Sequence, residues 1–406
     1  MRFKLFQIPA IVITFAMVSV CVPSLCAQTF SVITDFFGIN EGPQPGSLPL
    51  ARDSHGNFYG VSASGGAPAC FLNSGCGAIY KVDPTGKVTT IYKFLGPPND
   101  GAWPESLILD SKGNLYGTTQ YGGNGPCTAG APGNGCGTVF KLTPDGKETI
   151  LHSFAGPPDD GQSPNEPLTF DSKGNLYGAT YLGGPGPCYS MGCGTVYKID
   201  PTGKETIIFS FDDGPDGGLP SSRLLLANDA IYGTTGAGGT GPCTNSSIVG
   251  CGTVFKLSGS QETVLYSFQG PPDGYGPTSD LVLDHSGNLY GTTSAGGNSP
   301  NCTFGPNNCG TVFKLASDGT ETILHSFDGL DGFAIEGLVM DSAGNLFGSS
   351  EGPAGTIFEI DTSGNFTLLY NFINNSQAGF GPGDLIRDAE DNLYGSTDVV
   401  LFRLTP

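Results

Sequence analysis

Charged side chains are scarce in this sequence, since Asp, Glu, Lys and Arg together make up only 13% of its 406 residues. It has four His and a single Trp, and no long apolar segment with helical periodicity follows residue 27. These absences exclude a helical bundle and leave no candidate membrane span after residue 27. They also leave few side chains for acid–base chemistry.

Basic residues are outnumbered, with 17 Lys and Arg against 37 Asp and Glu, for a net charge of −20. Arg2 and Lys4 are the only charges in residues 1–27, so loss of that segment takes the net charge to −22. Such a surface repels phosphate groups, and we expect no binding to nucleic acid or anionic membranes. Cations, neutral polysaccharides and proteins remain as ligands.

Residues 1–27 have the pattern of a secretory signal peptide. Two basic residues precede an apolar run to about Val20, and a small-residue stretch ends at Ala27. An uncleaved membrane anchor is the alternative, but Pro9 and Pro23 favour cleavage. We therefore predict a secreted or periplasmic protein with no membrane span after cleavage.

Gly (65) and Pro (31) are abundant and separate short β-branched and aromatic runs, which predicts an all-β fold. The phrase Asp-Ser-Lys-Gly-Asn-Leu-Tyr-Gly at residues 110–117 recurs with variations, and its last Gly falls at 60, 117, 178, 233, 291, 348 and 395. Seven copies at this spacing predict a propeller or a solenoid. Each unit contains four strand-like segments, the number in a propeller blade.

The two ends of the chain distinguish these architectures. Residues 30–36 resemble a fourth strand without the preceding three, and residues 385–404 resemble three strands without a fourth. Together they complete one blade and remove an exposed sheet edge. We predict a single domain over residues 28–406, a seven-bladed β-propeller with four strands per blade whose last blade is closed by the N-terminal strand.

The turn at residues 143–146 predicts tight pairing of the third and fourth strands. The expected register sets Lys141 opposite Glu148, with two equivalent pairs in other blades, Lys198 with Glu205 and Lys314 with Glu321. Such cross-strand ion pairs contribute a few tenths of a kcal/mol each.

The recurring phrases Asn-Leu-Tyr-Gly-Thr-Thr, Gly-Gly and Gly-Thr-Val-Phe-Lys-Leu resemble the GloVer-type (Gloeo/Verruco) tandem repeat of secreted bacterial proteins. The resemblance covers nearly all of residues 30–406 and implies no agreed activity. Members of this family often carry a C-terminal anchor segment. Since this chain stops at Pro406, we expect release rather than surface anchoring.

Ten cysteines follow the signal segment, as one local pair between the second and third strands of each of five units. We predict five disulfides in an oxidising compartment. Zinc binding is the alternative, but no His accompanies the pairs. The pairs are Cys70 with Cys76, Cys127 with Cys136, Cys188 with Cys193, Cys243 with Cys251, and Cys302 with Cys309.

The cysteine loops and the acidic loops between blades are expected on one face of the ring, which we call the loop-rich face. Carboxylates there suit calcium, although Asp-Gly is also an ordinary turn signal. The candidate binding residues are Trp103, Tyr275, Asp100, Asp160, Asp213 and Asp273, and the candidate calcium ligands are Asp159, Asp160, Asp213 and Asp216. Trp103 and Tyr275 could stack on sugars or pack between blades.

No catalytic residue stands out. His152 and His325 occupy a fourth-strand slot that other units fill with Tyr or Phe, which indicates packing. Arg52 and Arg387 lie in first strands, either lining the central channel or facing solvent at the seam of the ring. No cofactor other than calcium is indicated.

The sequence therefore favours a secreted, non-enzymatic protein, expected to be a monomer, that binds an extracellular polysaccharide or protein through the loop-rich face. The alternatives are a calcium-assisted polysaccharide hydrolase or lyase and a structural extracellular component. A catalytic site would require polar residues that only some blades carry and that converge at one place.

Overall fold

The computed structural model describes residues 28–36, 49–63, 65–67, 70, 75–128, 135–245, 248–299, 302, 309–333, 335–352, 355–374, 378–379 and 381–405. The predicted signal peptide, residues 1–27, lies outside the described residues. Within them the chain is almost entirely β, and its helices are two single 3-10 turns, Cys188–Ser190 and Phe372–Asn374. None of the described helices is long and apolar enough to cross a membrane.

Seven antiparallel sheets, the blades, follow one another along the chain, each with strands numbered from the axis outwards. Blade 1 contains Ala51–Arg52, Phe58–Ser62, Ala78–Val82 and Val88–Lys93. Blade 2 contains Gly101–Leu109, Leu115–Gly122, Thr138–Leu142 and Glu148–Ser153. Blade 3 contains Thr169–Phe170, Leu176–Thr180, Thr195–Ile199 and Glu205–Ser210, with a side pair Gly161–Gln162 and Leu182–Gly183.

The inner strands of blades 4 and 5 are each split in two. Blade 4 contains Gly218–Pro220 with Leu225–Ala227, then Ala230–Ala237, Thr253–Ser258 and Gln261–Ser267, with a side hairpin Thr244–Asn245 and Ile248–Val249. Blade 5 contains Gly274–Pro277 with Val282–Leu283, then Leu289–Gly296, Thr311–Leu315 and Glu321–Ser326. Blade 6 contains Ile335–Met340, Leu346–Ser350, Thr356–Ile360 and Phe366–Asn371.

Blade 7 is made from both ends of the chain, as predicted. Ile386–Arg387, Leu393–Ser396 and Val400–Thr405 are its inner three strands, and Thr29–Asp35 is its outer strand. Phe30 in that outer strand stacks on Tyr370 of blade 6 at 4.1 Å between ring centroids. The fold is thus a seven-bladed β-propeller closed by its N-terminal strand.

The core is divided among the junctions between neighbouring blades. Seven clusters of buried apolar side chains are found among the described residues, and each joins two consecutive blades. One of them joins blade 7 to blade 1 through Tyr394, Leu401, Phe58 and Tyr80. The ring is therefore closed by side-chain packing as well as by the shared sheet.

One edge-to-face aromatic contact repeats at every junction, with ring centroids 5.1 to 5.4 Å apart. In each, an aromatic residue at the end of an outer strand meets one in the third strand of the next blade, such as Phe94 on Phe140. The Gly of the repeat makes room for the third-strand ring, because a Cβ at Gly117 would lie 2.6 Å from the Phe140 ring. Each such contact is worth about 1 kcal/mol beyond burial.

The Asp of the repeat organises the turn between the first and second strands. Asp110 Oδ1 accepts the backbone N–H groups of Lys112 and Asn114, at 2.8 and 2.9 Å. Its Oδ2 accepts the Asn114 side-chain amide at 2.7 Å. The same bonds occur at Asp53, Asp171, Asp284, Asp341 and Asp388. These carboxylates are therefore structural.

The predicted ion pairs between third and fourth strands are wrong by one position. Lys141 lies opposite Thr149, and Glu148 lies opposite Leu142; the other blades share this register. The connecting loop spans residues 143–147, with Thr143 N–H bonded to Lys147 O, so the loop is one residue longer than expected and the fourth strand starts pairing one residue later, at Glu148. Lys141 instead lies 5.3 Å from the Tyr116 ring.

Candidate functional site

The cysteine loops and the loops between blades lie together on one face, as predicted. The Ala67 N–H in a cysteine loop donates to Phe94 O, where the loop from blade 1 to blade 2 begins, at 3.0 Å. The backbone N–H of Trp103, near the end of that connection, donates to Cys76 O at 2.9 Å. The start of each inner strand is therefore at the loop-rich face.

All five predicted disulfides form, each spanning five to nine residues of sequence. Local pairing within one blade is therefore confirmed, and the alternative of free thiolates that bind zinc is wrong. The bonded pairs are Cys70 with Cys76, Cys127 with Cys136, Cys188 with Cys193, Cys243 with Cys251, and Cys302 with Cys309.

The second cysteine of each pair is fully or almost fully buried, at 1% exposure or less. It anchors the loop to the core at the point where the third strand begins. These residues are Cys76, Cys136, Cys193, Cys251 and Cys309.

Three of the disulfides also pack against a Gly with positive φ in the loop that follows the same blade: Gly96, Gly156 and Gly270. A Cβ at Gly156 would lie 2.6 Å from Cys127 Sγ and 3.1 Å from Cys136 Sγ. These disulfides thus fix the position of a neighbouring loop as well as their own.

A charged cluster surrounds the axis at this face, and its members come from five different blades. They are Glu105, Glu166, Arg223, Asp280 and Asp384, of blades 2, 3, 4, 5 and 7. Each lies in or beside an inner strand, one or two residues before a buried Leu. We call this group the channel cluster, because the seven inner strands surround the central channel of a propeller.

Two members of the channel cluster also tie neighbouring blades together. Asp280 accepts the backbone N–H of Arg223 at 2.8 Å and lies 3.3 Å from its Nε. Asp384 accepts the backbone N–H of Gly337, in blade 6, at 2.8 Å. Each Asp therefore reaches the inner strand of the preceding blade and keeps its remaining oxygen lone pairs for other donors.

The five side chains of the channel cluster are close enough to interact electrostatically. Burial raises the pKa of Glu166 well above its usual range, repulsion from Asp280, Asp384 and Glu105 adds to this, and Arg223 opposes it. Burial raises the pKa of Glu105 to about 8. Burial, with repulsion from Asp280, raises the pKa of Asp384 to about 6. At neutral pH the site therefore offers Glu105 as a protonated donor and Asp384 as an ionised acceptor.

Aromatic side chains lie beside the channel cluster. The Trp103 and Tyr121 rings of blade 2 are 5.9 Å apart between centroids, and both are partly exposed. Burial raises the pKa of Tyr121, and the negative charge of Glu105 raises it further, which places the two side chains close together. The structure therefore places Trp103, a predicted binding residue, beside the channel cluster.

Three of the predicted binding carboxylates have a repeated role inside the loops instead. Asp100 is 4% exposed and accepts the N–H groups of Leu95 and Gly101, together with the Tyr92 hydroxyl at 3.0 Å. Asp160 and Asp273 make the equivalent backbone bonds. The structure does not bring them together, because each belongs to a different junction.

The remaining predicted residues are also distributed over separate junctions. Asp159 is exposed between blades 2 and 3. Asp213 and Asp216 lie between blades 3 and 4, where an open cavity of about 460 Å³ is lined by Asp216 and Glu262. Tyr275 is half-buried and packs into the core cluster between blades 4 and 5.

Arg52 and Arg387 lie at the opposite face, at the seam of the ring. Arg52 is exposed, 3.8 Å from Asp388 and 4.9 Å from the Tyr394 ring of blade 7. Arg387 pairs with Asp391. Of the two locations open from sequence, the seam is the one observed. The packing role predicted for His325 is confirmed, since it stacks on Phe366 at 3.8 Å.

None of the five channel-cluster residues was predicted from sequence, and only their neighbour Trp103 was. The signal was present in the residues before the inner-strand Leu, which read Glu-Ser, Glu-Pro, Ser-Arg, Ser-Asp and Gly-Asp in blades 2, 3, 4, 5 and 7. These positions differ from blade to blade where most of the repeat is constant. That is the symmetry-breaking, convergent pattern expected of a functional site.

The family model of the Gloeobacter/Verrucomicrobia repeat matches residues 21–246 and 191–399, and the chain belongs to this family. No curated protein sequence matches this chain. The structure is similar to that of a streptogramin B lyase, with a TM-score of 0.58 and 12% identity over 93% of this chain and 97% of that one.

The structure is also similar to PorZ, a bacterial surface component of the type-IX secretion system of Porphyromonas gingivalis. The TM-score is 0.55, with 15% identity over 90% of this chain and 47% of PorZ. At these identities both similarities establish the propeller fold and nothing further.

Proposed function

We propose that this protein is a secreted binding protein that takes a neutral extracellular polysaccharide at the mouth of its central channel, on the loop-rich face. The observation that carries the proposal is the convergence of five acidic or basic side chains from five blades on one space. Positions that merely maintain the fold repeat from blade to blade, whereas these do not.

The chemistry of the channel cluster suits sugar hydroxyls, each of which both donates and accepts hydrogen bonds. Protonated Glu105 and ionised Asp384 supply a donor and an acceptor. Trp103 and Tyr121 supply apolar faces on which a sugar ring can stack. The net charge of −20 disfavours an anionic polymer.

Secretion is part of the proposal. Five disulfides persist only in an oxidising compartment in most organisms. The pattern of residues 1–27 supports export by a cleaved signal peptide, and PorZ, a similar propeller protein, is a bacterial surface component. Detection of a chain beginning at Gln28 in culture medium or periplasm would test this.

The binding experiment uses residues 28–406, which include every strand of the ring, against a panel of neutral and acidic polysaccharides. Titration with calcium and with chelator separates a calcium-dependent site from an independent one. We expect D384N to weaken binding about ten- to a hundredfold, from loss of a charge-assisted hydrogen bond. W103A should weaken it about three- to tenfold.

E390Q is the matched control, because it removes an exposed carboxylate from a turn on the opposite face. Y275A should lower stability without changing affinity, since Tyr275 packs between blades. Equal affinities for wild type, D384N and W103A would show that the channel mouth is not the binding site. If the protein binds none of the polysaccharides, a protein ligand or a structural role is favoured instead.

A polysaccharide hydrolase or lyase is the second candidate, favoured by one observation. Glu105, with a pKa raised to about 8, holds a proton at neutral pH and could act as a general acid. E105Q keeps a neutral hydrogen-bonding group, so binding should persist while product release stops. Binding by wild type without product release favours the binding protein.

A further inference from the structure

A second arrangement of titratable side chains lies away from the channel, near the rim of the ring. At a junction, an outer-strand residue of one blade bonds the Asp of the connecting loop, and a Glu begins the outer strand of the next blade. We call this set the junction triad. Among the described residues, three junctions have it: Tyr92, Asp100 and Glu148; His152, Asp160 and Glu205; and Tyr266, Asp273 and Glu321.

Only the junction between blades 2 and 3 combines His, Asp and Glu among the described residues. One ligand atom each from His152, Asp160 and Glu205 lie within 4.8 Å of one another. At the junction between blades 5 and 6, His325 bonds Asp331, but Phe366 replaces the Glu. The other two complete triads have Tyr in place of His.

The spacing at this junction suits a small divalent metal ion. His152 Nε2 and Asp160 Oδ2 are 3.3 Å apart. Two ligands bound tetrahedrally to zinc at about 2.0–2.1 Å are themselves about 3.3 Å apart. Both side chains keep partial exposure, 20% for His152 and 14% for Asp160, which leaves a path for the ion and a place for water.

Glu205 supplies the third ligand. Its Oε1 is buried and has no hydrogen-bond partner. A buried carboxylate oxygen without a partner is costly, and a bound cation would satisfy it. The equivalent oxygens of Glu148 and Glu321 also have no hydrogen-bond partner. The three triads therefore share the Asp and the Glu, and the imidazole of His152 distinguishes the triad between blades 2 and 3.

We propose that His152, Asp160 and Glu205 bind a divalent transition metal ion of the zinc class and so join blades 2 and 3. An imidazole nitrogen with two carboxylates is a typical ligand set for zinc, with water in the fourth position. Calcium prefers six to eight oxygen ligands and is disfavoured here. The disulfide-bonded cysteines cannot compete as thiolate ligands.

The test measures Zn²⁺ and Co²⁺ binding by chelator-treated residues 28–406 under non-reducing conditions. Calorimetry gives the number of zinc sites, and the visible spectrum of Co²⁺ reports a tetrahedral nitrogen–oxygen site. We expect one site in the wild type and none in H152Y. Tyr occupies the equivalent positions 92 and 266, so H152Y should fold, which circular dichroism checks.

Two further variants exclude nonspecific binding to this acidic surface. Y92H should gain a second site at the junction between blades 1 and 2, because Asp100 and Glu148 are already in place. H325Y should keep the wild-type count, because its junction lacks the Glu. The proposal is overturned if the wild type binds no metal, if H152Y binds as much as the wild type, or if a folded Y92H gains no site.

Discussion

Replacing Gly156 by Ala tests whether a disulfide supports the neighbouring loop through direct packing. Gly156 has a φ of +77°, and an added Cβ would lie 2.6 Å from Cys127 Sγ. Gly146 is the matched control, since its φ is +83° and nothing lies within 4 Å of an added Cβ. The pair separates the cost of the backbone conformation from the cost of the clash.

The two substitutions should differ by about 1–3 kcal/mol in the free energy of unfolding. A side chain in the left-handed region costs about 1 kcal/mol, and this applies to both variants. Overpacking adds about 1–3 kcal/mol at Gly156, because the cross-linked sulfur atoms cannot rotate away. We therefore expect G156A to lose about 2–4 kcal/mol and G146A about 1 kcal/mol.

Urea unfolding of residues 28–406 without reductant provides the measurement, with far-UV circular dichroism and Trp103 fluorescence as two probes. Repeating both substitutions in a background that carries C127A and C136A completes the cycle. There the extra cost of G156A should fall to that of G146A. Equal costs in the disulfide-bonded protein, or an extra cost that survives removal of the disulfide, would refute the reasoning.

Three other changes have defined outcomes. Stability should fall as pH rises from about 4.5 to about 8. Burial raises the pKa of Glu105 to about 8 and those of Glu148, Glu262 and Glu321 to about 7, so only the folded state keeps these protons in that window. A urea midpoint that is unchanged or higher at pH 8 than at pH 5 would contradict this. F30A should cost about 2 kcal/mol in urea unfolding by removing the half-buried ring that stacks on Tyr370, whereas no loss would mean that the N-terminal strand contributes little to closure. D171N should cost about 2 kcal/mol, because its side-chain NH2 would replace the oxygen that accepts the Asn175 side-chain amide and would face that donor; a cost below about 0.5 kcal/mol would remove the carboxylate's role in the turn.

The fold was predictable because the residues that determine the local structure recur from unit to unit. The Asp of the turn, the Gly under the third-strand ring and the aromatic at the end of the outer strand recur at fixed offsets. The fragments at the two ends of the chain then decided the number of blades and the closure. Local hydrogen bonding and packing explain why these signals can be read without a structure.

The strand register and the functional site were less accessible. Lys141 and Glu148 have complementary charges, but the five-residue loop pairs Glu148 with Leu142. Asp100 was expected among the exposed loop carboxylates, but two backbone N–H groups and a Tyr hydroxyl hold it inside. Glu166 and Asp384 are far apart in sequence, and only the ring brings them into one electrostatic environment.

Ring closure by the N-terminal strand has a consequence for the order of folding. Ser31 and Arg403, bonded across blade 7, are 372 residues apart in sequence, so the first strand made has no partner until the last one exists. The earlier blades can form from local hairpins, but the final step is a long-range search. Until it succeeds, Val400–Thr405 presents an open edge that the strand of a second copy could fill. Dilution during refolding should therefore favour closed monomers over exchanged dimers.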